Sequence, residues 1–461
     1  MIAVRQVLLP ERSVPPLKDH QKTRFRLNAP QIMVLGFAGL ILIGTILLML
    51  PISSAAGAVT PFVDALFTST TSVCVTGLVV RDTGAYWSTF GHAVILLLIQ
   101  IGGLGIVTVG ASFAIISGKK VGLFQRSTMQ EAVAAHKMGG IVQLTVFLLI
   151  MTFVIEAIGA VLLAPAMIRD FGWGHGIWLS VFTSVSAFCN AGIDLFGGYT
   201  SAPSLTAYVS DPLVNVVIIL LIVVGGLGFL TWDDIRTHGI HLRRYRMQSK
   251  VILVTSGLLI LIPAIGFFFL EFSHLPIGQR IWASLFQSVA PRTAGFCTVD
   301  LNSMSDSGKM ATIFLMLIGG SPGSTAGGMK TTTFAVLIGC VYAVFRKRDS
   351  TQFFGRRIAH EVVSSALTIF FMYITLFVGA AMVISRIESL PLLTCLFETA
   401  SAVATVGSTL GITAGLSVTS KLILIVLMYL GRVGGLTLVY AALSGAKKQL
   451  GKLPLDHITV G

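Results

Sequence analysis

Eight stretches of this chain are apolar for long enough to cross a lipid bilayer: roughly 31–50, 90–117, 141–165, 212–234, 251–272, 309–345, 358–385 and 418–443. A helix needs about 20 such residues to span the hydrocarbon. No water is available there to satisfy free peptide groups, so a chain with many such runs folds as a helical membrane protein. Composition agrees, with 54% of the 461 residues hydrophobic and 11% charged, against roughly 25% charged in an ordinary soluble domain. Disorder, a disulfide-rich secreted module and a water-soluble enzyme are excluded. The five cysteines (Cys74, Cys189, Cys297, Cys340, Cys395) are scattered with no CxxC, which argues against a disulfide framework or a zinc site. Residues 1–30 are polar and basic and lack the short apolar core of a cleavable signal, so the first apolar run reads as a span.

The formal net charge is +13, and its placement matters more than its size. The segments 1–30, 119–137, 236–250, 346–357 and 447–452 hold 23 of the 32 Lys and Arg. With eight spans and both termini cytoplasmic, all of these segments fall on one side, as the positive-inside rule requires. Charge beside spans is a topology signal, so no nucleic-acid partner is expected. The basic loops offer a face to a cytosolic partner or to anionic membrane lipid.

Between the members of each span pair lies a shorter apolar segment, about 62–74, 177–189, 281–291 and 392–404. These are too short to cross and suit re-entrant helices lining a water-filled path. Each carries a Phe, followed by a Gly at a fixed interval: Phe67 to Gly77, Phe182 to Gly192, Phe286 to Gly295 and Phe397 to Gly407, spaced 10, 10, 9 and 10. The next span then carries a Gly cluster: Gly102, Gly103 and Gly105; Gly225, Gly226 and Gly228; Gly319 to Gly328; Gly431, Gly434 and Gly435. The fold predicted is an all-α polytopic membrane protein of eight transmembrane helices, four span–pore-helix–span pseudo-repeats around a single central pore. The repeats run over 31–118, 140–236, 250–346 and 357–445, between a basic tail (1–30) and a C-terminal tail (446–461).

That unit is the unit of a tetrameric cation pore, here in one chain. The loop after each short helix must turn backbone carbonyls toward an axis, at φ values that side chains resist and Gly accepts. Four such loops make a ring of oxygens able to replace an ion's hydration shell. The negative ends of the four short helices favour a cation beside it. The candidate ion-binding residues are Val75, Thr76 and Gly77; Asn190, Ala191 and Gly192; Thr293, Ala294 and Gly295; and Thr405, Val406 and Gly407. Within the third repeat, Gly319, Gly320, Ser321, Pro322, Gly323, Ser324, Thr325, Ala326, Gly327 and Gly328 break a span with five Gly and one Pro in ten residues. This is the one span read as strongly broken, and the stretch reads as a flexible gating loop beneath the filter. Lys330, at its end, is either a pore-lining cation or a snorkelling one.

Arg432 is an intramembrane charge and so a functional candidate. Near the axis it would repel a cation by roughly 1 to 4 kcal/mol, as a barrier or a latch on the 319–328 loop; the alternative is a structural pair with a carboxylate such as Glu398. Asp64 and Glu398 read as structural. Glu156 is expected to face another repeat, Asn190 and Thr293 to hydrogen-bond behind the ring, and Arg292 to point away and brace its loop. A coupled symporter driven by sodium or protons would need paired intramembrane carboxylates and inverted repeats; the repeats here run parallel. A non-transporting subunit of a larger complex is a third possibility, in which the filter glycines would be replaceable.

At these residues the sequence resembles the Trk/Ktr/HKT superfamily of potassium transporters over 31–445, most specifically in the stretch from Gly319 to Thr331 and in Arg432. With eight spans it is most similar to the Ktr membrane subunit. The resemblance implies a homodimer with one pore per protomer, in a prokaryotic inner membrane, on a cytosolic ring of RCK-type nucleotide-binding regulatory subunits. It also implies potassium as the transported ion, with uptake often stimulated by sodium. Each repeat keeps one filter Gly rather than the TVGYG of potassium channels, so discrimination against sodium is expected to be less sharp. No nucleotide site is expected in this chain, since the Gly clusters follow apolar spans rather than strands.

Overall fold

The structure is a computed structural model that describes residues 28–106, 108–110, 122–132, 140–199, 204–434 and 437. The N-terminal tail through residue 27, Lys119, Lys120, Lys137, Gly435 and the C-terminal tail lie outside the described residues. Among the described residues the regular structure is helical apart from one short hairpin. Repeat one comprises α1 (Ala29–Met49), α2 (Phe62–Val73), the single turn α3 (Thr83–Tyr86) and α4 (Thr89–Leu104), and α5 (Leu123–Ala132) leads on. Repeat two comprises α6 (Ile141–Phe188), α7 (Pro212–Gly226) and α8 (Phe229–His238). Repeat three comprises α9 (Met247–Gly266), α10 (Ile277–Val289), α11 (Asp306–Leu317) and α12 (Thr331–Phe345). After β1 (Gln352–Phe353) and β2 (Arg356–Arg357), repeat four comprises α13 (His360–Glu388), α14 (Leu392–Val403) and α15 (Val418–Val433).

Proline sets three of the short helices apart. Pro61, Pro276 and Pro391 sit at the N-caps of α2, α10 and α14. There the fixed φ suits a helix start and the missing N–H costs nothing. Repeat two has no such proline. Its span and short helix form one element, α6, broken only where Gly172 adopts φ 76° and ψ 172°. The separation expected between 165 and 177 is therefore a kink and not a loop. Phe67, Phe182, Phe286 and Phe397, one per short helix, are among the largest fully buried side chains, so the repeated Phe anchors each short helix to the core.

Four helices are long and apolar enough to cross a membrane among the described residues: Ala29–Met49, Ile141–Phe188, Met247–Glu271 and His360–Glu388. These lead the four repeats. Their outer faces leave large apolar side chains exposed, such as Ile46 and Phe371, as a lipid-facing surface does. The second segments differ from the uninterrupted spans expected. Residues 212–234 are two helices meeting at 99°. α4 stops at Gly105 (φ 84°, ψ 133°), α7 gives way to α8 at Gly228 (φ 88°, ψ 140°), and α15 stops at Gly434 (φ 87°, ψ 131°). The chain is thus broken at the same place in three repeats as well as over 318–330 in the third, which corrects the reading that only one span is broken.

The glycines just before these breaks have a packing role. A Cβ at Gly102, Gly225 or Gly431 would collide with the carbonyl oxygen of Val73, Phe188 or Val403, the last residue of each neighbouring short helix. A Cβ at Gly379 of α13, by contrast, would meet nothing within 4 Å. Gly431→Ala should therefore destabilise the protein by about 1 to 3 kcal/mol, while Gly379→Ala should be neutral or stabilising by about 0.5 to 1 kcal/mol. Thermal melts of the purified protein in detergent check the contrast, and equal shifts would refute this packing.

Candidate ion pathway

The loops after the four short helices meet at one place. α2, α6 and α14 end alike, at Cys74, Cys189 and Ala404 with helical φ/ψ. The next residue then turns left-handed: Val75 at φ 56°, Asn190 at 59° and Thr405 at 53°, with Thr293 at 75° in repeat three. For Val and Thr this conformation costs of order 1 to 3 kcal/mol each, so its recurrence marks a site and not a chance turn. Two residues on come Gly77, Gly192, Gly295 and Gly407, again at positive φ.

These four glycines close a ring through the main chain. The carbonyl oxygen of Ala191 lies against Gly77, that of Ala294 against Gly192, that of Val406 against Gly295, and that of Thr76 against Gly407. A Cβ at any of them would overlap that oxygen, so side chains are excluded by contact as well as by φ. The N–H groups are tied back to the short helices. Thr76 N donates to Thr71 O (2.8 Å), Ala191 N to Ser186 O (2.7 Å), Ala294 N to Ala290 O (2.9 Å) and Val406 N to Ser401 O (2.8 Å). Hydroxyls add to this: Gly77 N donates to Thr71 Oγ1 and Gly407 N to Ser401 Oγ, both at 3.0 Å, while Ser186 Oγ donates to Ile193 O at 2.6 Å. Sequence reasoning missed these hydroxyls, although each stands four residues after the repeated Phe. Repeat three has Ala290 there, and Gly295 N donates instead to Ala290 O at 3.2 Å.

The Asn190 amide and the Thr293 hydroxyl lie 3.3 Å apart. Arg292 is buried and reaches away to α9, donating to Ser256 Oγ (3.3 Å) and Ser256 O (3.5 Å). Glu156 of repeat two accepts from Gln100 of repeat one at 3.0 and 3.2 Å, so it does face another repeat. Asp64 pairs with Arg81 (2.9 Å) and Lys421 (3.8 Å).

On one side the ring opens to a cavity of about 280 Å³, lined by all four glycines and by Asp82, Asp194 and Asp300 from three different repeats. Asp194, in the loop after its glycine, accepts from Phe196 N at 3.2 Å. Burial, with a smaller push from the charge of Asp82, raises its carboxyl to about 6.

On the other side stands the 319–328 stretch, held by the break between α7 and α8. Ser321 N donates to Gly226 O (2.9 Å), Thr325 N to Gly225 O (3.3 Å), and Phe229 N to Gly323 O (2.7 Å). Thr325 Oγ1 donates to the last carbonyl of α6, Phe188 O, at 3.1 Å. Two interrupted helices thus satisfy each other's freed peptide groups, the condition for irregular backbone at membrane depth. Gly327 packs on the Thr405 side chain in the loop after α14. Arg432 donates to Thr325 O, to Gly102 O and, at 3.0 Å, to Gly103 O. It therefore joins the stretch to the C-terminal carbonyls of α4, where a cation is favoured. Glu398 is not its partner, because that carboxylate accepts from Thr409 (2.7 Å) and Thr413. Lys330, at the end of the stretch, folds its Nζ back to Ala326 O (2.8 Å) and Gly327 O (3.4 Å).

Apolar helices around a ring of uncharged main chain, with helix C-termini on it and carboxylates at its mouth, define a membrane cation transporter. The family profile of the cation transport protein TrkH matches residues 3–448, and the chain belongs to that family. It is 40% identical to the potassium/sodium uptake protein NtpJ of Enterococcus hirae over 96% of this chain and 99% of that one. It is 38% identical to the Ktr system potassium uptake protein B of Bacillus subtilis, over 92% and 95%. The crystal structure of the potassium transporter TrkH from Vibrio parahaemolyticus shares the fold, with a TM-score of 0.69 over 92% of this chain and 85% of that one at 20% identity.

The raised Asp194 carboxyl has a consequence for stability. Between the ordinary carboxyl value near 3.9 and about 6, the folded protein holds a proton that the unfolded chain has lost. Its contribution is present below that window and is lost as pH rises through it. Asp194→Asn removes the titration, so its melting temperature relative to the parent should be higher at pH 7.5 than at pH 4.5, by about a few degrees. A difference that does not change with pH would refute the assignment.

Proposed function

We propose that this chain takes up potassium through a channel-like pore, with the carbonyls around Gly77, Gly192, Gly295 and Gly407 as its selectivity filter. The observation that carries the reading is the closed ring of four main-chain segments, each reserved for Gly by contact with the next. The names of the relatives, two of them potassium uptake proteins, supply the ion. The eight-span arrangement follows by pairing each long first helix with the broken segment of its repeat, and the positive-inside rule puts both termini in the cytoplasm.

In this mechanism the ion sheds water at the four carbonyl sets, drawn by helix C-termini and by the acidic mouth. It rests between the ring and the 319–328 stretch, which blocks the path. Arg432 and Lys330 hold the stretch in place through its own carbonyls, so the gate opens when those bonds are released together. Flux follows the electrochemical gradient. The partner of a Ktr-type membrane subunit, a cytosolic nucleotide-binding ring, supplies the release, and the working unit is a homodimer with one pore per protomer. Sodium stimulates uptake, which accords with the potassium/sodium name of the first relative.

Rubidium flux into vesicles holding the purified protein, with and without sodium, tests the reading directly. Gly295→Ser should lower the preference for potassium over sodium by about tenfold, equivalent to about 1.4 kcal/mol, while the protein still assembles by size-exclusion chromatography. Unchanged selectivity in an assembled variant would reject the filter. Deletion of 321–327 should raise partner-free flux by about tenfold or more, a barrier lowered by about 1.4 kcal/mol or more. Flux that stays low or still requires the partner would reject the gate.

A further inference from the structure

Outside this pathway, a recess of about 880 Å³ lies where α12 ends and α13 begins. It is roughly 20 Å along α12 from the 319–328 stretch. Arg348, Arg356, Arg357 and His360 line it, and Asp349 is its single carboxylate. None of the three arginines has an ion-pair partner among the described residues. The recess is built rather than incidental. Phe354 (φ 47°) and Gly355 (φ 75°) form the two-residue turn of the β1–β2 hairpin, in the doubly left-handed form that suits strand twist. The Phe353 ring seats on Gly339 of α12. Ile358 N closes the base of the hairpin on Thr351 O at 2.9 Å. Arg356 and Arg357 are thereby held in the same recess as Arg348, whose N–H is fixed to Ala343 O at 2.9 Å.

The floor of the recess is apolar. Val344 and Leu367 line it and are 70% and 42% exposed. Beside it Val341 and Phe345, 52% and 81% exposed, carry the apolar strip along α12. Cationic groups over an apolar strip that continues along a helix match a phosphate with acyl chains attached. A free phosphate would leave the strip uncovered. Basic recesses between membrane helices bind anionic headgroups in this way.

We propose that this recess is a binding site for the headgroup of an anionic phospholipid. Bound there, the lipid ties the far end of α12, whose first residue, Thr331, donates to Gly320 O at 3.0 Å. The site requires only that the chain lie in a bilayer, so it stands apart from the filter and gate. The test is native mass spectrometry of the full-length protein titrated with phosphatidylglycerol, comparing the parent with the triple variant R348Q/R356Q/R357Q. The control variant R243Q/R244Q removes charge from a different exposed loop. The triple variant should lose affinity on the order of a hundredfold, the control should change little, and R348K/R356K/R357K should retain most of the binding. Equal losses in the triple variant and the control would mean diffuse charge attraction and overturn the proposal. So would unchanged binding in the triple variant, or inorganic phosphate competing as well as the lipid. Loss of polyglutamate binding with lipid binding intact would assign the recess to an acidic protein surface instead. Rubidium flux measured on the same samples reports the pore separately.

Discussion

Peptide groups that leave a helix inside an apolar body must find partners, and here they find them across repeats. Ser321 and Thr325 donate to carbonyls at the end of α7, and Phe229 of α8 donates back to Gly323. Arg432 adds a charged donor to three more carbonyls from two other repeats. An unpaired buried carbonyl or N–H costs about 1 to 3 kcal/mol, so no single break could persist alone. The interruptions exist as a set, and the set surrounds the underside of the glycine ring.

The same rule shapes the ring. Its N–H groups are spent on the short helices behind them, through Thr71, Ser186, Ala290 and Ser401. The carbonyl of the residue before each glycine is not used in this way and meets the next repeat instead. A chain that ties its donors back to the short helices leaves its acceptors at the ring, with no charged side chain among them. This is consistent with the uncharged residues at 75–77, 190–192, 293–295 and 405–407.

Much of this was legible in the sequence, because φ and close contact both act through Gly, and Gly is visible. The Phe-to-Gly interval located all four loops, and the run from Gly319 to Gly328 located the interrupted span. The hidden features depend on partners rather than residue types. Nothing about Arg432 announces that its acceptors are the carbonyls of Gly102, Gly103 and Thr325, since a main-chain acceptor leaves no trace in composition. Glu398 was the natural candidate for its partner on charge alone, yet its oxygens were already taken by Thr409 and Thr413. The hydroxyls of Thr71, Ser186 and Ser401 were hidden for a related reason, as Ser and Thr are common in buried helices and only their bonds to the loop backbone distinguish these three. The breaks at Gly105, Gly228 and Gly434 were hidden because apolar residues continue past them, and hydropathy does not register a change of direction.

Repeat three is where the fourfold pattern fails, and it fails in several ways together. Its Phe-to-Gly interval is one residue shorter, Ala290 replaces the hydroxyl, and Arg292 stands where the others have a small or apolar residue. Its second segment is interrupted over 318–330 rather than at a single glycine. A ring of four identical units would have no reason to place a longer interruption under one of them. Where the other repeats use a hydroxyl, Ala290 O accepts from both Ala294 N and Gly295 N, and Arg292 anchors on Ser256 of α9. The asymmetry is therefore concentrated in one repeat, where the loop chemistry and the backbone path of the second segment both depart from the other three.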